Sequence, residues 1–309
     1  DVQLYRLTVA AAADPQTLVW TGSVNGTWDL QGTANFDNGS SADVFNQLDS
    51  VNFDDAAQTM NVTLEGHLNP AAVVFDAAAD YLLSGSGSIT SGSLTIDGPG
   101  AVEVATSGNS YSGPTQINGG SLLLTGDTSA MVTDITIADG GTLIMDSSIA
   151  GGNSSTFLIE PGGTLQIGRQ SPNSNSDVFP NNPTSVVNHG TIRIVDFESV
   201  ANIAGSGQVV AAAELALLEG NSYTGQTIVE SNAAIQPTDN NAFGTTTGTT
   251  VVQSGGYVVA RNDDFGPASL TPDESFVLSG SGIGSGALQV SQATTMTING
   301  DGYLTETGA

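Results

Sequence analysis

The sequence predicts an all-β chain wound as a solenoid, a stack of coils built from short strands, and three observations carry that prediction. One phrase occurs twice, as Gly108-Asn109-Ser110-Tyr111-Ser112-Gly113-Pro114-Thr115 and as Gly220-Asn221-Ser222-Tyr223-Thr224-Gly225-Gln226-Thr227, each copy leading into a short apolar strand pattern. A frame of glycine-rich corners followed by alternating apolar residues recurs between and after the two copies. The 309 residues are 39% hydrophobic but only 6% aromatic, with 39 glycines, which suits a long core of small aliphatic side chains better than a globule.

Taken from the N-terminus, residues 1–83 read as an N-terminal strand and cap, and 84–309 as solenoid repeats. Val2, Leu4, Tyr5, Leu7 and Val9 lie in a β-prone stretch followed by Ala10-Ala11-Ala12-Ala13. That stretch is either the first strand of the cap or a detached strand that adds to the edge of another copy. Both tryptophans, Trp20 and Trp28, fall in the cap, where a solenoid must cover the apolar end and open edge of its first coil. Short strands are expected at Val51-Asn52-Phe53, Met60-Asn61-Val62-Thr63-Leu64 and Ala72-Val73-Val74-Phe75. Leu83-Ser84-Gly85-Ser86-Gly87 returns as Leu278-Ser279-Gly280-Ser281-Gly282, so the coils are expected to continue towards the C-terminus.

The repeating frame is clearest at Ile137-Ala138-Asp139-Gly140-Gly141-Thr142-Leu143-Ile144-Met145 and Ile159-Glu160-Pro161-Gly162-Gly163-Thr164-Leu165-Gln166-Ile167. The corners at Gly120, Gly141, Gly163 and Gly190 follow one another at intervals of about 20 to 27 residues, and Gly256 comes about three coils later. Glycine supplies the positive φ that a tight corner needs. Alternation after the corner sends Leu122, Leu143, Leu165, Ile192 and Val258 inward, followed two residues later by Leu124, Met145, Ile167, Ile194 and Ala260. Outward positions are Leu123, Ile144, Gln166, Arg193 and Val259, and the apolar Leu123 and Ile144 are candidate contact residues. About ten coils at roughly 4.8 Å each would make a rod on the order of 50 Å long.

Charge excludes several classes of partner. The cations are Arg6, Arg169, Arg193 and Arg261 against 31 acids, giving a net charge of −27 that repels nucleic acid and anionic membranes. No apolar run is long enough to span a bilayer. The chain has no cysteine, so disulfides and thiolate metal sites play no part. Without lysine it offers little to trypsin-like proteases, which suits an extracellular or cell-surface location. Asp1 begins the chain without a leader pattern, as at a processed N-terminus or an internal boundary.

The twin phrase, with the glycine-threonine-leucine strands that follow it, resembles the autotransporter-associated β-strand repeat proteins of Gram-negative bacteria. Asp301-Gly302-Tyr303-Leu304-Thr305-Glu306-Thr307-Gly308-Ala309 is similar to the start of a further unit. Trp20-Thr21-Gly22 and Gly26-Thr27-Trp28 are similar to the family's N-terminal segment, with Phe36 where a third tryptophan is common. The resemblance implies a secreted, right-handed parallel β-helix displayed at the cell surface, with adhesive or matrix roles. The membrane β-barrel of a complete autotransporter has no counterpart in this sequence.

Chemistry leaves few marks. His67 and His189 occupy turn-like settings, and the serines lie in glycine-serine turns without a nucleophile elbow. A glycosidase pair at Asp139 and Glu160, or a lyase using Arg193, is the enzymatic alternative that a β-helix raises. Asp54-Asp55 and Asp263-Asp264 are the candidate calcium ligands, although the repeat of calcium-loaded β-rolls is absent. No cofactor is expected otherwise. The reading that fits most of the chain is a non-catalytic structural or adhesive solenoid that associates end to end into filaments through Val2 to Val9 and Tyr303-Leu304. Its partners would be other copies, or a surface protein or glycan. A display module of a larger adhesin is the alternative.

Overall fold

The computed structural model describes residues 14–127, 130–146, 156–169, 185–196, 198–213, 216–262, 267–279, 286–291 and 295–305. Within them every regular element is a strand, and the strands stack in parallel into the long sheets of a β-solenoid. The first side is an eleven-stranded sheet ending at Ile203–Ala204, and the second is a thirteen-stranded, wholly parallel sheet from Thr27–Trp28 to Gly302–Thr305. Thirteen strands at about 4.8 Å spacing span on the order of 60 Å. Between the second side and the return to the first, the chain crosses a third side. There Ser88–Ile89 pairs with His67–Leu68, and further along a five-stranded sheet runs from Glu198–Ala201 to Leu288–Ser291.

The corners at Gly140-Gly141 and Gly162-Gly163, between the first and second sides, solve two steric problems with two glycines. Gly162 has φ +88°, a conformation that costs any residue with a Cβ. Its neighbour Gly163 is needed for close approach instead, because a Cβ there would lie 2.5 Å from the carbonyl oxygen of Ile137 one coil away. After the corner, strand alternation produces buried columns. Leu122, Leu143, Leu165 and Ile192 stack in register, as do Leu124, Met145, Ile167 and Ile194, each essentially inaccessible to water. Burying each leucine or isoleucine contributes about 1.5–3 kcal/mol. A single continuous core runs from Leu18 to Ala287.

The first coils are filled differently. Trp20, Trp28, Phe36, Phe45, Phe53, Phe75 and Tyr81 form one connected aromatic cluster, with Phe36 set edge-on against both tryptophans at centroid distances of 5.2 and 6.0 Å. Two short strands, Phe36–Asp37 and Ala42–Asp43, close this end of the first sheet in antiparallel fashion. The parallel ladder begins beside them, where Thr17–Trp20 pairs with Ser50–Asp54. The strands expected in this region lie at Ser50–Asp54, Asn61–Leu64 and Ala72–Asp76.

Midway along the stack the sequence repeat and the sides part company. After Thr191–Ile194 the chain adds Glu198–Ala201 on the third side, turns at Asn202 with φ 59°, and crosses the first side with only Ile203–Ala204. From there on each repeat element sits one side further round. The first phrase delivers Thr115–Ile117 to the first sheet, whereas the second delivers Thr227–Val229 to the second sheet. This corrects the expected inner column: Val258 and Ala260 are buried, but in the five-stranded sheet, where they pair with Leu288 and Val290. Val259, expected outside, is only 2% exposed. Val209, Thr227, Thr250 and Phe276 continue the column above Ile192 instead.

Candidate functional site

The repeated phrase is built from side chains that stand in for a strand. Asn109 Oδ1 accepts the amide of Ile89 at 2.9 Å, and its Nδ2 donates to the carbonyl of Thr106 at 2.8 Å. Asn221 Oδ1 likewise accepts the amide of Ile203 at 3.0 Å, and its Nδ2 donates to the carbonyl of Ala242 at 2.8 Å. Both asparagines are buried, so each satisfies backbone groups that water cannot reach. The tyrosines point inward, with the hydroxyl of Tyr111 bonded to Thr115 Oγ1 and that of Tyr223 to Thr227 Oγ1. Burial pushes the phenol of Tyr111 up to about 12 and raises that of Tyr223 further, so both remain neutral hydrogen-bonding groups.

Several residues singled out in the sequence hold coil to coil. The carboxylate of Asp55 accepts the amides of Ala78 and Ala79, which hold its pKa below the usual aspartate range, and Asp54 Oδ1 accepts the amide of Ala56. His67 Nδ1 and His189 Nδ1 each meet a serine hydroxyl of the next coil, Ser88 and Ser206. Asp139 and Glu160 are exposed at corners of successive coils. Arg193 is engaged by both oxygens of Glu230 at 2.6 and 2.7 Å, a bidentate pair that reaches across the intervening strand at Val210. Arg169 pairs with Asp146 at 3.6 Å. Val2, Leu4, Tyr5, Leu7, Val9, Asp263 and Asp264 lie outside the described residues, as do the side chains of Tyr303 and Leu304.

Leu123 and Ile144 are half-buried and stack in register on the outside of the second sheet, between Glu103 and Gln166. A longer aliphatic run occupies the same outer column beyond the shift, where Ile228, Val251 and Val277 lie side by side on successive strands. Aligning the corner glycines alone could not reveal it, because the column there is filled by a different part of the repeat.

One opening in the stack has a distinct chemistry. Beyond Ile203–Ala204 the first side is continued by the second phrase and then by residues 240–246, joined through Asn221 N to Asn241 O and Thr245 N to Tyr223 O. The next passage is tied to that segment by Thr271 N donating to Asn240 Oδ1 at 2.7 Å. Where the passages separate, a groove of about 670 Å³ is lined by Asn241, Thr245, Thr246, Asp273, Glu274 and Asn299, among others.

Glu274 lies at the buried wall of this groove, only 3% exposed. Burial raises its carboxyl to about 7, against which the hydrogen bond from Thr250 Oγ1 to Oε1, at 3.3 Å, acts weakly. Near neutrality it can therefore donate or accept a proton. Sequence alternation held the signal for it: Glu274 stands two residues before the buried Phe276 and so shares its inward phase. Exposed Asp273 faces the other way, and among the described residues no group of three His, Cys, Asp or Glu side chains is arranged to hold a metal ion.

Compared with protein-family models, curated proteins and solved structures, the chain matches none. The fold rests on its own geometry. The likeness of the twin phrase to autotransporter repeats is a likeness of motif.

Proposed function

We propose that this chain is a non-catalytic structural or adhesive β-solenoid of the bacterial cell surface or extracellular matrix. One observation carries the reading: the residues repeated in the sequence are used up in joining coils. Asn109, Asn221, Tyr111, Tyr223 and the corner glycines all serve interior or coil-to-coil contacts, and the acids Asp139 and Glu160 stand exposed at corners of successive coils. A net charge of −27 suits a soluble, salt-tolerant rod outside the cell.

End-to-end association is part of the proposal. Antiparallel strands and aromatic rings cover one end of the stack, whereas Gly302–Thr305 forms an outer strand of the thirteen-stranded sheet. A parallel strand can add there, from further coils or from a second copy. The outer aliphatic residues Leu123, Ile144, Ile228, Val251 and Val277 offer a lateral surface. Sedimentation velocity and negative-stain microscopy test the reading. Assemblies that lengthen with concentration, and that Leu304→Pro shortens by removing an edge amide, are the expected result, since the carbonyl of Asp301 accepts from Phe276 and the alternation turns the amides of Gly302 and Leu304 outward. A monomer at every concentration overturns end-to-end association, and hydrolysis of a polysaccharide lost on Asp139→Asn or Glu160→Gln overturns the non-catalytic reading.

A further inference from the structure

The groove beside Glu274 selects a class of ligand by what lines it. Asn240, Asn241, Asn299, Thr245 and Thr246 contribute amides and hydroxyls, and no lysine, arginine or histidine is among its lining residues. A phosphate, sulfate or uronate would therefore meet the carboxyls of Asp273 and Glu274 without a compensating cation. An apolar ligand would strip water from the amides and return no hydrogen bonds. A metal ion would need several converging oxygen ligands, and among the described residues no group of three His, Cys, Asp or Glu side chains is arranged to hold one. A hydroxyl-rich, uncharged ligand fits, because each sugar hydroxyl both donates and accepts, as do the amides and hydroxyls of the wall.

Specific polar atoms stand ready for it. Among the described residues Thr245 Oγ1, buried in the wall, has no hydrogen-bond partner, and Glu274 is held through Oε1 by Thr250. Neighbouring groups are already committed: Asn240 Oδ1 to the amide of Thr271, and Asn299 Nδ2 to Asp273 at 2.9 Å. Asn241 and Thr246 are exposed at the mouth. The volume, about 670 Å³, lies within the range of small-ligand sites and accommodates about two or three sugar rings.

We propose that the groove binds a neutral oligosaccharide, with Asn241 and Thr246 at its mouth and Glu274 at its wall as the principal polar contacts. Because the groove forms within one chain, this binding stands or falls independently of end-to-end association. Depending on its protonation, Glu274 meets the sugar as a donor or as an acceptor, so affinity changes across neutral pH.

The test is isothermal titration calorimetry of the full chain with cellotriose, mannotriose and triacetylchitotriose, and with trigalacturonate as the anionic counterpart. At least one neutral trisaccharide is expected to bind. Asn241→Ala and Thr246→Trp, which fills the mouth, are expected to weaken it about tenfold or more with unchanged circular dichroism. Glu274→Gln, which fixes the uncharged form, is expected to flatten the change in Kd between roughly pH 5 and 8. The proposal is overturned if no neutral trisaccharide binds, if trigalacturonate binds as tightly, or if the mouth variants leave Kd unchanged. An unaltered pH profile in Glu274→Gln removes Glu274 from the site.

Discussion

At Asn109 the side chain takes the amide of Ile89 on the third side of the solenoid, and at Asn221 the same side chain takes the amide of Ile203 on the first. The flanking backbone repeats the relation, with Ser110 donating to Ile89 O and Ser222 to Ile203 O. Two copies of a phrase thus make equivalent bonds on different sides of one stack. The phrase specifies a corner and its hydrogen bonds, and which side the corner falls on is decided elsewhere, by the added strand Glu198–Ala201 and the turn at Asn202. A parallel coil tolerates this rotation because each side presents the same row of amides and carbonyls to the next strand.

The copies do differ in reach. Nδ2 of Asn109 bonds within its own loop, to Thr106, whereas Nδ2 of Asn221 crosses to Ala242 in the following coil. Replacing either asparagine by alanine strands a buried amide and a buried carbonyl, at a cost of about 2–4 kcal/mol. Urea denaturation should show Asn221→Ala as the costlier of the two, with faster hydrogen exchange at the amide of Ile203, and at that of Ile89 in Asn109→Ala. If Asn109→Ala proves neutral, the two phrases are not equivalent corners.

The rotation also places hydroxyls where leucines stood. Thr227 and Thr250 occupy the column of Leu122, Leu143, Leu165 and Ile192, and Thr250 is met there by Glu274. An unfolded glutamate titrates near 4.5 and this one near 7, so folding takes up a proton between those values. Stability is therefore fullest below about pH 4.5 and falls as pH rises through 7, by at most about 3 kcal/mol from this group. Denaturation at a series of pH values should show that loss in the wild type and its absence in Glu274→Gln. An unchanged slope in the variant would place the titration elsewhere.

How much of this could be read beforehand follows from what repeats and what does not. The glycine corners and the alternation after them identify Leu122, Leu143, Leu165, Ile192 and their partners two residues on as core, because steric demand at a corner and the period of a strand are local. Side assignment is not local. Val258 was legible as buried but not as a member of another sheet, and Val259 faced the wrong way because the five-stranded sheet buries three successive residues, Val258, Val259 and Ala260. The aromatic plug was legible from Trp20 and Trp28, whereas the contributions of Phe45 and Tyr81 depend on contacts with residues well separated in sequence, Trp28 and Phe53. Of the groove, only the inward phase of Glu274 was written in the sequence.

The tyrosines give the finest comparison. Thr115 Oγ1 is bonded both to Tyr111 and, at 3.1 Å, to Thr133 Oγ1, so Tyr111→Phe leaves that hydroxyl a partner and should cost about 1 kcal/mol. Thr227 Oγ1 shares a hydrogen bond with the Tyr223 hydroxyl and has no other side-chain partner among the described residues, so Tyr223→Phe leaves a fully buried hydroxyl unmet, at about 1–3 kcal/mol. The contrast can be inverted. Adding Thr227→Val to Tyr223→Phe removes the stranded group and should recover most of the loss, while Thr115→Val added to Tyr111→Phe should recover none, since it discards a bond still in use. Two double-mutant cycles followed by urea denaturation decide it. Equal recovery in both copies would mean that the tyrosines stabilise the solenoid by filling space, and that their hydroxyls contribute nothing to the difference between its two halves.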